Sequence, residues 1–260
     1  MKSLLPRINP EQEKERIVTF LKHTFAKQKI HHAVIGISGG VDSAVSFSLL
    51  KEVLPAENII VAHLYYGQSY FSQIESLLSS ANIPEKNVYH FSIKHPVDEF
   101  TKLLDVSDTG DNKIRKGNIA ARTRMIVLFD LAKKFNALVC GTENKSENLL
   151  SYFTRFGDQA SDIEPIAHLY KTQVYEIAKY LEIPEELITQ NPSAGLWQGQ
   201  TDEGEFGFPY AEADTVLYAH LEQGVSVETL QKKGYTNADK IISWRERNLF
   251  KHHVPYLLDK

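Results

Sequence analysis

Residues 36–43, GISGGVDS, join two adjacent glycines, two hydroxyls and one carboxylate over eight positions. Gly39 and Gly40 let the backbone approach a ligand with no Cβ in the way, and Ser38 and Ser43 can donate further hydrogen bonds. AVIGIS at 33–38 reads as a strand, and Asp42-Ser43 begin a helical pattern. A strand exit followed by a helix start turns several backbone N–H groups and the positive end of a helix dipole toward one point, which suits an anion. Asp42 is the odd member, because a carboxylate there repels phosphate unless a cation lies between them. It therefore suggests Mg²⁺ bridging Asp42 to phosphates. An ordinary strand-to-helix turn with Ser38 or Asp42 as N-cap also fits the local pattern.

Two further positions extend this chemistry. Glu147 follows the apolar run ALVCGT at 137–142, at the strand end where ligands of open α/β sheets bind, and would supply a second carboxylate for the metal. A lone glutamate on a helix surface is the plain alternative. Lys171 begins a helix whose apolar face is Leu169, Val174, Ile177, Ala178 and Leu181. A cation at a helix start is mildly unfavourable with the dipole, so it has reason to hold an anion; a solvated lysine is the alternative.

These residues need a scaffold that brings strand ends together. Short apolar runs at 33–38, 58–64, 87–93 and 137–142 read as buried strands, alternating with amphipathic segments at 42–54, 71–81, 97–104 and 117–135. That alternation predicts an α/β fold: a parallel twisted sheet with helices on both faces. From about 210 onward three short helices predict a C-terminal helical cap. Residues 105–118 and 193–209 lack periodicity and read as long loops, disordered or acting as lids.

The chain of 260 residues with 42% hydrophobic content suits one sizeable domain: an α/β core at 33–190, then a lid loop and helices at 191–260. A net charge of -4 argues against nucleic acid as a partner, and the short basic stretch GYTNADKIISWRERNLFKHH reads as a solvated face. The single cysteine, Cys140, excludes an internal disulfide and any multi-cysteine metal site and reads as a buried thiol. The ten histidines form no ligand array, so no zinc is expected, and the pairs at 31–32 and 252–253 read as surface residues. No apolar leader or run of membrane-spanning length occurs, which predicts a cytoplasmic protein with no membrane partner.

The octapeptide at 36–43 resembles the pyrophosphate-binding SGGxDS loop of the ATP pyrophosphatase superfamily, an adenine nucleotide alpha hydrolase-like, Rossmann-like fold. Members split ATP between the α- and β-phosphates and adenylate a substrate oxygen. KGNIAARTRM at 116–125, GTENKSE at 141–147, SYFTRFGDQASDIEPIAHLYKTQVY at 151–175 and NPSAGLWQGQTDEGEFGFPY at 191–210 follow in order. Together the motifs resemble the ammonia-dependent NAD synthetases, from about residue 10 to the carboxyl end. The resemblance implies ATP-dependent amidation of deamido-NAD by ammonia through an acyl-adenylate, the final step of NAD biosynthesis, by a homodimer.

It also implies roles by position. Residues Gly36, Ile37, Ser38, Gly39, Gly40, Val41, Asp42, Ser43, Thr142, Lys171 and Ser193 would contact ATP, and Asp42 and Glu147 would bind Mg²⁺. Arg122, Arg155, Asp162 and Lys251 would contact deamido-NAD, and Asp158 would position or deprotonate ammonia. FTRFGDQASD departs from the family's FTKYGDGGAD, so Arg155 stands where lysine is common, and a planar fork is not a point ammonium. Two rivals remain: another synthetase or tRNA-modifying enzyme of the superfamily, and a sensor that binds ATP without turnover.

Overall fold

In a computed structural model, residues 4–67, 69–107, 109–110, 112–190 and 199–258 are described. Helix α1 spans Pro10–Gln28, and the Asn9 side chain accepts from Glu11 N and Gln12 N at its start. Its buried face is Ile17, Leu21 and Phe25. A cap contributes about 0.5–2 kcal/mol and each fully buried apolar side chain about 1.5–3 kcal/mol, so packing decides this helix.

Strand β1, His32–Gly36, leads into α2, Val41–Leu50. Then come β2, Ile59–Tyr65, α3, Phe71–Ser80, and β3, Val88–Ser92. Helices α4, Lys94–Leu103, and α5, Asn112–Phe135, precede β4, Ala137–Cys140. The sheet order is β3-β2-β1-β4 with all pairs parallel, Ala33 opposite Ile59 and Ile35 opposite Val61 on one side, and Ile35 opposite Cys140 on the other.

Alternate residues of β1 face opposite layers. Ala33 and Ile35 pack with α1, α2 and α3, in a core that includes Leu21, Phe47 and Ile74. Val34 joins Ile60 and Ala62 against Val97 of α4 and Ala120 and Leu131 of α5. The sheet is therefore covered on both faces, as the sequence implies.

Short helices follow: α6, Lys145–Leu150, α7, Lys171–Tyr180, α8, Glu185–Ile188, and α9, Asp202–Phe206. The chain ends in α10, Tyr210–Leu217, α11, Val227–Lys232, and α12, Ala238–Asn248. These last helices share a separate core with Leu150 and Tyr170, in which Phe206 packs edge-on against Trp244 at 5.3 Å. The cap thus sits on the elements that follow β4. No described helix is long and apolar enough to cross a membrane.

Three expectations need correction. Residues 112–118, read as loop, are the first turns of α5, where Gly117 is buried and Arg115 bonds Asn112 at 2.8 Å. Within the stretch 193–209, α9 forms because Thr201 Oγ1 caps Gly204 N and Gly207 ends it at φ 69°; residues 191–198 lie outside the described residues. The segment 87–93 is an edge strand, not a buried one, and Phe91 is 40% exposed.

Strand order carries the functional consequence. The chain steps outward from β1 to β2 to β3, then returns to β4 on the other side of β1. Such a reversal opens a crevice at the carboxyl ends of β1 and β4.

Candidate active site

The first wall of that crevice is the 36–43 loop. Ile37 N still donates to Ala62 O at 2.9 Å, and the chain then turns at Gly39, whose φ is 97°. A Cβ on Gly39 would lie 3.1 Å from Tyr70 Cβ, so both conformation and space ask for glycine. The hydroxyls are spent inside the loop: Ser38 N donates to Ser43 Oγ at 3.3 Å, Gly40 N to Ser38 Oγ at 3.2 Å, and Ser43 Oγ to Gly40 O at 2.9 Å. The amides offered to an anion are those of the first turn of α2, whose N-cap Gly40 brings no side chain to satisfy them.

Buried His63 braces this loop from β2. Its Nδ1 lies 2.7 Å from Ile37 O, and Tyr70 N donates to its Nε2 at 3.3 Å. A carbonyl only accepts and an amide only donates, so the ring is neutral with its proton on Nδ1. Burial, above other causes, lowers its pKa and agrees with that state.

The second wall follows β4. Asn144 Oδ1 accepts from Glu147 N at 3.0 Å, and Asn144 N donates to Glu147 Oε2 at 3.3 Å, a reciprocal cap that starts α6. The same Asn144 reaches across the crevice and donates from Nδ2 to Asp42 Oδ1 at 3.1 Å. Lys171 Nζ donates to Asp42 Oδ2, lies 3.4 Å from Glu147 Oε1, and sits 5.3 Å over the Tyr210 ring. Asp42, Glu147 and Lys171, separated by up to 129 positions, thus meet at one point.

Lys171 is held by the helical cap. Its amide donates to Ser146 Oγ at 2.8 Å, Ser146 Oγ donates to buried Asp214 of α10, and Asp214 accepts from Thr172 N and Thr172 Oγ1 at 2.8 Å. Burial pushes Asp214 up to about 6 against those bonds. Asp202 adds a further carboxylate nearby: its Oδ2 accepts from Tyr210 OH at 3.0 Å, while its buried Oδ1 has no hydrogen-bond partner among the described residues.

Burial raises the Glu147 pKa well above the carboxylate range, and Asp42 and Asp202 add to this against Lys171. Burial alone would lower the Lys171 ammonium, but Asp42 and Glu147 outweigh it and hold the group charged. Three carboxyl groups share one ammonium, which cannot offset all of them at once, and burial with this crowding favours the protonated forms of Glu147 and Asp202. That imbalance, two converging hard oxygen donors and the orphaned Asp202 oxygen fit a divalent cation. Among the described residues no three acidic, histidine or cysteine side chains form a complete metal cage, so the remaining ligands would be water or phosphate.

Other candidate residues gather around 151–158. Arg122 Nε donates to Arg155 O at 3.2 Å, Arg155 lies 5.4 Å over the Phe250 ring, and Lys251 Nζ donates to Ser151 O and Phe153 O at 2.9 and 3.0 Å. Asp158 Oδ1 accepts from Thr154 N at 3.0 Å. Its carboxyl is open to solvent yet ringed by protein, and that partial desolvation raises its pKa. His252, expected at the surface, is instead half-buried, with Nε2 3.0 Å from Asn148 O. Thr142 stands at the β4 exit, half-buried. Asp162 stands apart, its Oδ2 accepting from Val139 N at 2.8 Å where residues 162–163 pair with the outer edge of β4. Ser193 lies outside the described residues.

The sequence pattern of NAD synthase matches residues 13–255. An NH(3)-dependent NAD(+) synthetase of Fusobacterium nucleatum is 38% identical over 255 residues, covering 96% of each chain. The chain belongs to the NAD synthase family. Among solved structures, an NMN synthetase from Francisella tularensis has a TM-score of 0.81 at 33% identity, covering 97% of this chain and all of that one. An NH3-dependent NAD synthetase from Campylobacter jejuni has a TM-score of 0.78 at 30% identity, covering 97% and 100%.

In this NAD synthase, sequence reasoning passed over Asn144, His63, Asp202 and Asp214. Asn144 was within a quoted motif, and its offset of three from Glu147 is a capping signature. Nothing local distinguishes the other three; His63 and Asp214 act through contacts 26 and 68 positions away, and Asp202 through its place near Lys171.

Proposed function

We propose that this NAD synthase amidates deamido-NAD with ammonia to NAD, using ATP and releasing AMP and pyrophosphate, in the cytoplasm. The observation that carries the reading is the convergence of Asp42, Glu147 and Lys171 at the crevice between β1 and β4. The nicotinate carboxylate attacks the α-phosphorus of ATP in line, and pyrophosphate leaves toward the first-turn amides of α2. Lys171 and those amides neutralise the charge that accumulates on the departing oxygens. Ammonia then attacks the acyl carbon and AMP departs, with Asp158 placed to orient the ammonia or take its proton. Asp42 and Glu147 would hold Mg²⁺, which when bound offsets the phosphate charge.

Thr142 and Ser193 contact ATP in this reading, while Arg122, Arg155, Asp162 and Lys251 contact the dinucleotide. A homodimer places some of these contacts near a second copy, and exposed Ile114 and Ile126 of α5 supply apolar surface for it.

A second reading, amidation of the mononucleotide of nicotinate, is favoured by the likeness to the Francisella NMN synthetase. One experiment separates them. The full chain with ATP, Mg²⁺ and ammonium is offered the dinucleotide or the mononucleotide, and AMP and the amide are quantified. AMP with NAD from the dinucleotide is expected; ADP in place of AMP, or amidation of neither acceptor, would refute both.

A further inference from the structure

We propose that Arg124 binds a substrate oxyanion at the reaction centre, through the guanidinium edge that it presents beyond the carboxyl ends of β1 and β2. The placement follows from its neighbours on α5. One turn later, Leu128 lies 3.5 Å from where a Cβ on Gly36 would be, at the start of the cradle. Three residues earlier, Ala121 lies 3.1 Å from the corresponding point on Gly157, beside Asp158. Arg124 therefore stands between the two groups of candidate residues.

Its Nε donates to Leu64 O at 2.9 Å, which fixes the plane of the fork against the end of β2. That is its one hydrogen bond among the described residues, and none of their ion pairs includes it. The residue is half-buried, so part of its side chain reaches accessible space. Protein nevertheless surrounds the side chain closely enough that burial depresses its pKa, with Asp158 the one charge opposing this. A desolvated guanidinium without a counterion is unfavourable, and its paired donors match phosphate or carboxylate.

The inference rests on the functional reading above, which brings two oxyanions here: the α-phosphate of ATP and the carboxylate that attacks it. Lys171 approaches from α7, packed on the α1 and α2 face, whereas Arg124 comes from α5 on the other. Two cations would then flank the phosphoryl transfer, one toward the leaving pyrophosphate and one toward the incoming carboxylate.

Calorimetric binding of α,β-methylene-ATP and of deamido-NAD, with Mg²⁺, is measured for the unsubstituted chain, Arg124→Lys, Arg124→Gln and Arg124→Ala. Loss of a charge-assisted pair predicts that Gln and Ala weaken one ligand by about 10- to 100-fold, and Lys by less. Melting temperatures stay near that of the unsubstituted chain, and methylguanidinium restores part of the lost affinity to Arg124→Ala. Loss confined to the ATP analogue places the oxyanion on the α-phosphate; loss confined to deamido-NAD places it on the carboxylate. Affinities within about twofold for both ligands in Arg124→Gln overturn the proposal, as does weakening that comes with a fallen melting temperature and no rescue. If the unsubstituted chain binds both ligands but makes no AMP, the functional reading fails while binding still decides Arg124. If it binds neither, both fall.

Discussion

The Lys171 ammonium lies 3.4 Å from Glu147 Oε1 and at the same time donates to Asp42 Oδ2. One buried cation therefore holds together a carboxylate from the β1 exit and another from the β4 exit. Either carboxylate alone would be an ordinary helix-start acid; sharing a cation makes them a site.

Asp42→Asn keeps one accepting oxygen, enough for Lys171 or Asn144 but not for both, and removes the charge. Turnover should fall about 100-fold or more, the scale of losing one charge-stabilising group, while the melting temperature changes little. Steady-state AMP formation and a thermal melt check this, and unchanged activity would remove Asp42 from the metal site.

Lys171→Met leaves Asp42 and Glu147 facing each other without a cation. Breaking such a pair costs about 3–5 kcal/mol. Urea unfolding should show a loss of that order, and 10 mM-scale Mg²⁺ (roughly, enough to saturate a weak site) should recover more stability in the variant than in the parent. Equal Mg²⁺ effects on both proteins would argue against a divalent cation between these carboxylates.

Gly141→Ala should be severe for a reason unrelated to backbone freedom. A Cβ there would come 1.7 Å from Glu164 Oε1, whose carboxylate accepts from Ser161 Oγ and Glu143 N. Overpacking of this kind costs about 1–3 kcal/mol. In a Glu164→Ala background the same substitution should cost much less, and a strictly additive double-mutant cycle would deny the clash.

Burial raises Glu164 to about 7 and Glu143 to about 8 from the ordinary 4.5. Between the ordinary value and those raised ones, the folded chain holds protons that the unfolded chain has released. The contribution of these groups to stability is therefore complete below the ordinary value and is lost as pH rises through about 7 to 8. Urea midpoints should fall between about pH 5.5 and 8.5, and Glu164→Gln or Glu143→Gln should shrink that fall. Both side chains are partly open to solvent, which makes the effect modest. A fall of the same size in both variants would assign it to other groups.

Local pattern was enough for the sheet and for most of its helices. β-branched runs such as AVIGIS bury on both faces and so read as strands wherever the chain places them. Helix α1 was legible in principle, from Asn9-Pro10 and the spacing of Ile17, Leu21 and Phe25, but its many charged residues dilute the period. The edge position of β3 was not legible, because a strand's neighbours are not written in its own residues. For the site, the glycines and Asp42 stood out because a cradle needs them locally, whereas Arg124 looks like any helical charge until the end of β2 fixes it, and Asp214 until α6 and α7 enclose it.

The amino-acid sequence alone determined the α/β alternation, the phosphate-type loop after the first strand and the family motifs, since each depends on spacings within a few tens of residues. Tertiary structure decided that the β1 and β4 exits adjoin, that one lysine serves two carboxylates, and that the cap's Asp214 ties down the helix carrying it. Those are distances through space between segments far apart in the chain, set by strand order and by which faces must be buried. No local periodicity encodes them.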